Sequence, residues 1–232
     1  MKALFADRPF NEKYHLGAVN SINWARILAQ TVYYFLAYFQ VRKQIPHPEN
    51  SQIQFVVPTG NFGDVLAGYY AKRMGLPMGN NKLVVATNSN DILARFWRSG
   101  RYELVDSTPP TPDGGLADGK PADGGVQATL SPAMDILVSS NFERLLWYLV
   151  YESSNAAPDS ARRASAGATI DGWMKSVKTN GRVDVPVEVL ELARRDFLAG
   201  RVSDDQVCVS CVRSNRVTRF NNPSPLLRHF KR

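Results

Sequence analysis

Apolar and polar positions along residues 52–74 predict a strand, a turn and a helix in close succession. Gln52-Ile53-Gln54 leads into Phe55-Val56-Val57, an apolar run that suits a strand inside a parallel sheet. Pro58-Thr59-Gly60-Asn61 breaks the run. From Phe62 the apolar residues fall at Phe62, Val65, Leu66, Tyr69 and Met74, a helical spacing closed by Gly75-Leu76-Pro77. The glycines at 60 and 63 leave room for an anion to reach the backbone. The first N–H groups of the helix, with the positive end of its dipole, face the same turn. A phosphate-binding loop at 59–64 is therefore the functional reading, set against a plain strand-to-helix connection.

The same patterning organises the rest of the chain. Residues 2–15 read as the end of a helix and a loop, 16–21 as a short strand-like or turn segment, and Ser21 as the N-cap of a long helix to about Arg42. That helix is apolar on almost every side from Ile27 to Val41 and is expected to be buried within a large domain. Arg26, Gln30 and Thr31 cut its uninterrupted run short of the roughly 20 residues a bilayer requires. Asn23, Arg26 and Gln30 share one helix face, as a solvated stripe or as a clamp in which the Arg26 guanidinium takes a phosphate or carboxylate. Residues 43–51 form a polar loop with prolines. Residues 82–87 read as a second buried strand, and Asn88-Ser89-Asn90-Asp91 as the loop and cap of a helix to about Arg98.

Strand, helix and strand of these lengths imply a parallel unit. Loops 59–64 and 87–91 then share the carboxyl edge, where such sheets bind ligands. Residues 105–125, rich in Pro, Gly and Asp, mark a surface loop. Asn141 is a candidate cap for a helix over 141–151, and two more amphipathic helices are expected over 158–178 and 186–199, the second with Pro186 at its first position. Arg194, Arg195 and Asp196 read as a solvated face.

Composition narrows the class. The 232 residues, 44% hydrophobic, suit a globular α/β protein with one sizeable domain or two small ones. The opening residues break into charges before any secretory apolar core, and two cysteines are too few for a disulfide framework, so the expected location is cytoplasmic. The net charge of +7 is concentrated in Arg213, Arg216, Arg219, Arg228, Lys231 and Arg232; with those six set aside, 22 basic residues face 21 acidic ones. A nearly neutral body argues against nucleic acid or a membrane as partner, and residues 207–232 read as a basic, disordered tail. Cys208 and Cys211, with only His229 nearby, cannot complete a tetrahedral zinc site in any familiar spacing, and no metal is expected.

Several motifs carry a resemblance. Pro58-Thr59-Gly60-Asn61-Phe62-Gly63-Asp64, followed by Leu66-Ala67-Gly68 and Ala71-Lys72, resembles the cofactor-phosphate loop of threonine synthases. Asn20-Ser21-Ile22-Asn23-Trp24-Ala25-Arg26-Ile27-Leu28-Ala29-Gln30 resembles a second signature of that family. Ala86-Thr87-Asn88-Ser89-Asn90-Asp91 and Thr129-Leu130-Ser131-Pro132-Ala133-Met134-Asp135-Ile136 continue the likeness, the last toward the fungal type. It extends over about residues 2–206, as part of a large catalytic domain.

The resemblance implies an α/β fold of parallel strands flanked by helices, part of the type II pyridoxal-phosphate enzyme fold (tryptophan synthase β-like). It implies that Gly60, Asn61, Phe62 and Gly63 hold the phosphate of pyridoxal 5'-phosphate, and that Ser21, Asn23 and Arg26 contact the substrate, O-phosphohomoserine. Family members convert O-phosphohomoserine and water to threonine and phosphate, a lyase reaction of threonine biosynthesis in which the cofactor is the electron sink.

The family's cofactor-bearing lysine lies in a Phe-Lys-Asp motif that this sequence does not contain, so no catalytic residue is assigned. The segment that supplies the hydroxyl partner of the pyridine nitrogen is also missing, its place taken by the unfamiliar tail. The expectation is a fragment without its N-terminal part and C-terminal end, inactive alone, that exposes an apolar patch along helix 21–42. Alternatives are a non-catalytic module for a phosphate-bearing ligand or a protein, and another type II enzyme of the β-replacement kind, which fits the loop but not the Ser21 to Gln30 signature.

Overall fold

A computed structural model describes residues 7–15, 23–47, 51–104 and 125–206. Its elements are α1 (Arg8–Tyr14), α2 (Trp24–Gln44), β1 (Val56–Pro58), α3 (Gly63–Arg73), β2 (Leu83–Thr87), α4 (Ile92–Ser99), β3 (Arg101–Glu103), a 3-10 turn (Pro132–Met134), α5 (Phe142–Ser153), α6 (Asp159–Asn180), β4 (Arg182–Asp184), α7 (Val187–Asp196) and β5 (Phe197–Arg201). β1, β2 and β5 form a parallel sheet in that spatial order, with Val57 opposite Val85 and Val85 opposite Ala199. β3 and β4 form a small antiparallel pair. The α/β class and parallel pairing agree with the sequence reading, and loops 59–64 and 87–91 do follow the carboxyl ends of neighbouring strands.

Packing follows the aromatic residues. The ring of Phe62 is stacked on Trp97 at 6.0 Å and meets Phe142 at 5.4 Å and Phe197 at 6.0 Å, tying together α3, α4, α5 and β5. β2 is buried along its whole length. β1 buries Val57 and leaves Val56 and Pro58 exposed, because it is the edge of this sheet rather than an interior strand.

Four further expectations are corrected. The helix expected over 186–199 ends at Asp196, and residues 197–201 become β5, whose Phe197 is buried in the aromatic cluster. Pro186 is the cap residue before α7. Of the residues read as a solvated face, Arg194 and Arg195 are exposed, with Arg194 donating to the carbonyls of Trp97 and Arg98, whereas Asp196 is buried and accepts from Lys72 at 2.9 Å and Arg195 at 2.7 Å. Burial alone would raise the Asp196 carboxyl, but the hydrogen bonds and charges of Lys72 and Arg195 reverse that and hold it below the ordinary carboxylate value. Met74, assigned to the apolar face of α3, is exposed at its C-cap.

The long helix is the fourth correction. Its cap is Asn23, whose Oδ1 accepts from the Ala25 N–H at 3.0 Å. It is not buried all round: it packs chiefly against α3 and buries only Ile27, Thr31, Tyr34 and Tyr38. Ser21, the segment 16–22, the surface loop up to residue 124 and the tail with Cys208 and Cys211 lie outside the described residues. Among the described residues no helix is long and apolar enough to cross a membrane, and no group of His, Cys, Asp or Glu could hold a metal ion.

Candidate functional site

The turn between β1 and α3 is fixed residue by residue. Thr59 is buried and doubly tied: its N–H donates to the Ala86 carbonyl and its hydroxyl to the Val57 carbonyl, both at 2.7 Å. At Gly60 a Cβ would lie 3.0 Å from the Met134 Cα and 3.3 Å from the Ala133 carbonyl oxygen, so glycine lets the Pro132–Met134 turn close against the loop. The neighbour that needs this room is the protein's own backbone.

The Asn61 carbonyl accepts from both the N–H and the Nδ2 of Asn141, at 3.1 and 3.0 Å. Asn141 is the N-cap residue of α5, as expected, but its side chain makes no capping hydrogen bond and its Nδ2 serves this clamp. A planar trans peptide sets the carbonyl of one residue opposite the N–H of the next, so drawing the Asn61 carbonyl toward α5 turns the Phe62 N–H the other way.

Phe62 itself has φ 62° and ψ 6°, a left-handed conformation that costs a non-glycine residue about 1–2 kcal/mol. Its ring is 1% exposed. Burying a phenylalanine side chain contributes about 1.5–3 kcal/mol, enough to offset the strain. The Phe62 carbonyl accepts from the Leu66 N–H and opens α3, which leaves the Gly63 N–H directed back along the helix axis. Among the described residues, no protein acceptor meets the N–H groups of Gly60, Asn61, Phe62 or Gly63. Four donors without a protein acceptor among the described residues thus lie at the N-terminal, positive end of an eleven-residue helix, where a phosphate monoester is favoured.

A carboxylate missed in the sequence braces this loop. Asp135 Oδ1 accepts from Asn88 Nδ2 at 2.6 Å, Asn90 Nδ2 at 3.0 Å and the Thr129 hydroxyl at 2.7 Å, while Oδ2 accepts from the Thr129 N–H at 2.9 Å. One side chain thus ties the loop after β2 to the segment that presses on Gly60. Its signal in the sequence is an acid interrupting the apolar stretch Ala133-Met134 and Ile136-Leu137-Val138.

From α2, the Tyr34 hydroxyl donates to the Asp64 backbone carbonyl at 2.8 Å, and its ring fills the space over Gly68, where a Cβ would sit 2.6 Å away. Burial, reinforced by Asp64, pushes the Tyr34 phenol well above its ordinary value, so it stays a donor. Asn23 and Arg26 lie at the start of α2, both exposed, and Arg26 is about 12 Å along the helix axis from Tyr34. Among the described residues neither makes a hydrogen bond or ion pair with loop 59–64. The structure brings Gly60, Asn61, Phe62 and Gly63 into one turn and leaves Asn23 and Arg26 on a separate element.

A parallel sheet flanked by helices, with a tightly held glycine turn at its carboxyl edge, is an α/β segment of the type II pyridoxal-phosphate enzyme fold. The comparisons with known proteins define the family. The chain is 53% identical over 208 residues to threonine synthase of Schizosaccharomyces pombe, covering 89% of this chain and 37% of that protein. The crystal structure of threonine synthase from yeast superposes with a TM-score of 0.70 at 48% identity, over 88% of this chain and 34% of that one. The threonine synthase of Brucella melitensis, solved with PLP bound, gives 0.67 at 40% identity, over 88% and 36%. No protein-family model matches. The chain belongs to the threonine synthase family, and it spans about a third of the length of the curated relatives it matches.

Proposed function

We propose that the amides of Gly60, Asn61, Phe62 and Gly63 hold the phosphate of pyridoxal 5'-phosphate, and that this chain is the cofactor-phosphate part of an enzyme converting O-phosphohomoserine and water to threonine and phosphate. The observation that carries the reading is the set of four N–H groups without a protein acceptor among the described residues, held open by the left-handed Phe62 and the Asn141 clamp. When bound, the cofactor supplies an electron sink for the carbon acid of the amino-acid substrate.

The chain's own residues then divide the work. The amide row binds and orients the phosphate ester, Asn141 and Asp135 keep the row in shape, and Lys72 stays with Asp196. Ser21, Asn23 and Arg26 contact the substrate O-phosphohomoserine, and the Arg26 guanidinium takes one of its anionic groups. No lysine here is assigned to carry the cofactor, so the chain alone binds without turnover.

Calorimetric titration of the purified chain with pyridoxal 5'-phosphate tests this. Binding should compete with inorganic phosphate and weaken by about tenfold or more in Gly60→Ala, a loss of ~1.4 kcal/mol. Phosphate release from O-phosphohomoserine should be absent. Binding indifferent to both phosphate and the Gly60 substitution would place the site elsewhere.

A further inference from the structure

Asn141 is fully buried at the head of α5, and both ends of its carboxamide are engaged. Nδ2 donates to the Asn61 carbonyl at 3.0 Å, while Oδ1 accepts from Arg144 Nη1 at 2.8 Å. A guanidinium only donates and a backbone carbonyl only accepts, so a single orientation of the amide serves both neighbours. Arg144 sets that orientation. Were the amide turned over, its oxygen would face the Asn61 carbonyl and its NH2 group the cation.

The series of contacts continues into the loop. Arg144 lies half-buried on the first turn of α5, three residues after Asn141, and the Asn61 carbonyl that Asn141 holds is one peptide away from the Phe62 N–H. Hydrogen bonds in series polarise one another, most of all where the first donor is charged and water is excluded. The guanidinium draws charge from the Asn141 oxygen, which makes Nδ2 a stronger donor. Nδ2, with the Asn141 N–H at 3.1 Å, in turn draws charge from the Asn61 oxygen. The peptide between Asn61 and Phe62 is delocalised, so that pull reaches the Phe62 N–H on its other side and strengthens it as a donor.

We propose that Arg144 is a positioning residue for loop 59–64: through Asn141 it fixes the direction of the peptide between Asn61 and Phe62 and strengthens the Phe62 N–H toward a phosphate group, without touching the ligand itself. This rests on the reading of that loop as a phosphate site and adds the charged group that orders it. The positive charge that serves the anion is thus held behind the loop and passed forward through two amides.

The test titrates the full 232-residue chain and its variants with inorganic phosphate and with pyridoxal 5'-phosphate, following the backbone amide resonances and the Asn141 side-chain NH2 group. Arg144→Ala should keep the far-ultraviolet spectrum, weaken both ligands by about tenfold, and shift the Phe62 amide and the Asn141 NH2 resonances already in the ligand-free protein. Arg144→Lys, which keeps a charge and a donor but not the fork, should recover part of the affinity, and Arg144→Gln, a neutral donor, less of it. In an Asn141→Ala background, adding Arg144→Ala should change phosphate affinity by less than about twofold, because the connection is already cut. Phosphate binding to the unaltered chain that moves none of the four loop amides would remove the loop reading and this inference with it. Loop binding undiminished by Arg144→Ala would overturn the inference alone. So would a loss as large in the Asn141→Ala background as in the unaltered chain, since Arg144 would then meet the ligand directly.

Discussion

β1 and β2 are neighbours in one sheet and contain nearly the same residues, Val56-Val57 and Val84-Val85, yet β2 is buried throughout and β1 is open on one face. The contrast repeats one layer out. α3 buries Gly63, Val65, Leu66, Ala67, Gly68, Tyr69 and Ala71 of its eleven residues, whereas α2, richer in large apolar side chains, buries four of 21. An apolar sequence states what a segment would bury, but burial also needs a partner on each side. Around the phosphate loop every partner is present, and along the face of α2 turned away from α3 none of the described residues supplies one.

Substitutions should separate the two regions sharply. Phe62→Ala removes the ring that joins α3, α4, α5 and β5 and should cost about 3–5 kcal/mol in urea unfolding, where Phe39→Ala on the outer face of α2 should stay within about 0.5 kcal/mol. Equal losses would erase the distinction. Asp135→Ala leaves four donors around the loop without their acceptor and should cost about 1–3 kcal/mol, together with weaker phosphate binding. Gly68→Ala drives a Cβ into the buried Tyr34 ring on the occupied face of α2 and should lower the unfolding free energy by about 1–3 kcal/mol, seen as a lower urea midpoint with an unchanged slope.

The smallest effect concerns pH. The Asp196 carboxyl is held below its unfolded value by Lys72 and Arg195, so the unfolded chain binds more protons in the acid range. Its contribution is present above the ordinary carboxylate pKa and is lost as pH falls through the lower folded value. Asp196→Asn should flatten acid unfolding in that window and leave the neutral midpoint lower.

Much of this was legible in the sequence where local chemistry decides the outcome. The strand, turn and helix over 56–73, the buried strand at 83–87 and the helices beginning at 142 and 159 follow from spacing and breakers, and the family motifs coincide with the loop that the structure holds most tightly. What was not legible depends on distant partners. Residues 197–199 continue a helical pattern until β2 offers a parallel neighbour, and Asp196 reads as solvated until Lys72 arrives from α3. Asn141 is legible as the cap of α5, but nothing nearby in sequence reveals the Asn61 carbonyl that its side chain holds. Asp135 is one acid among many until the loop after β2 meets the segment that carries it.

The turn after β1 is proposed to hold a phosphate ester. Titrating isotope-labelled protein with pyridoxal 5'-phosphate and following the backbone amide resonances tests it most directly. The largest shifts are expected at Gly60, Asn61, Phe62 and Gly63, with the same four responding to inorganic phosphate. Shifts confined to other residues, with these four amides unmoved at saturation, would contradict it.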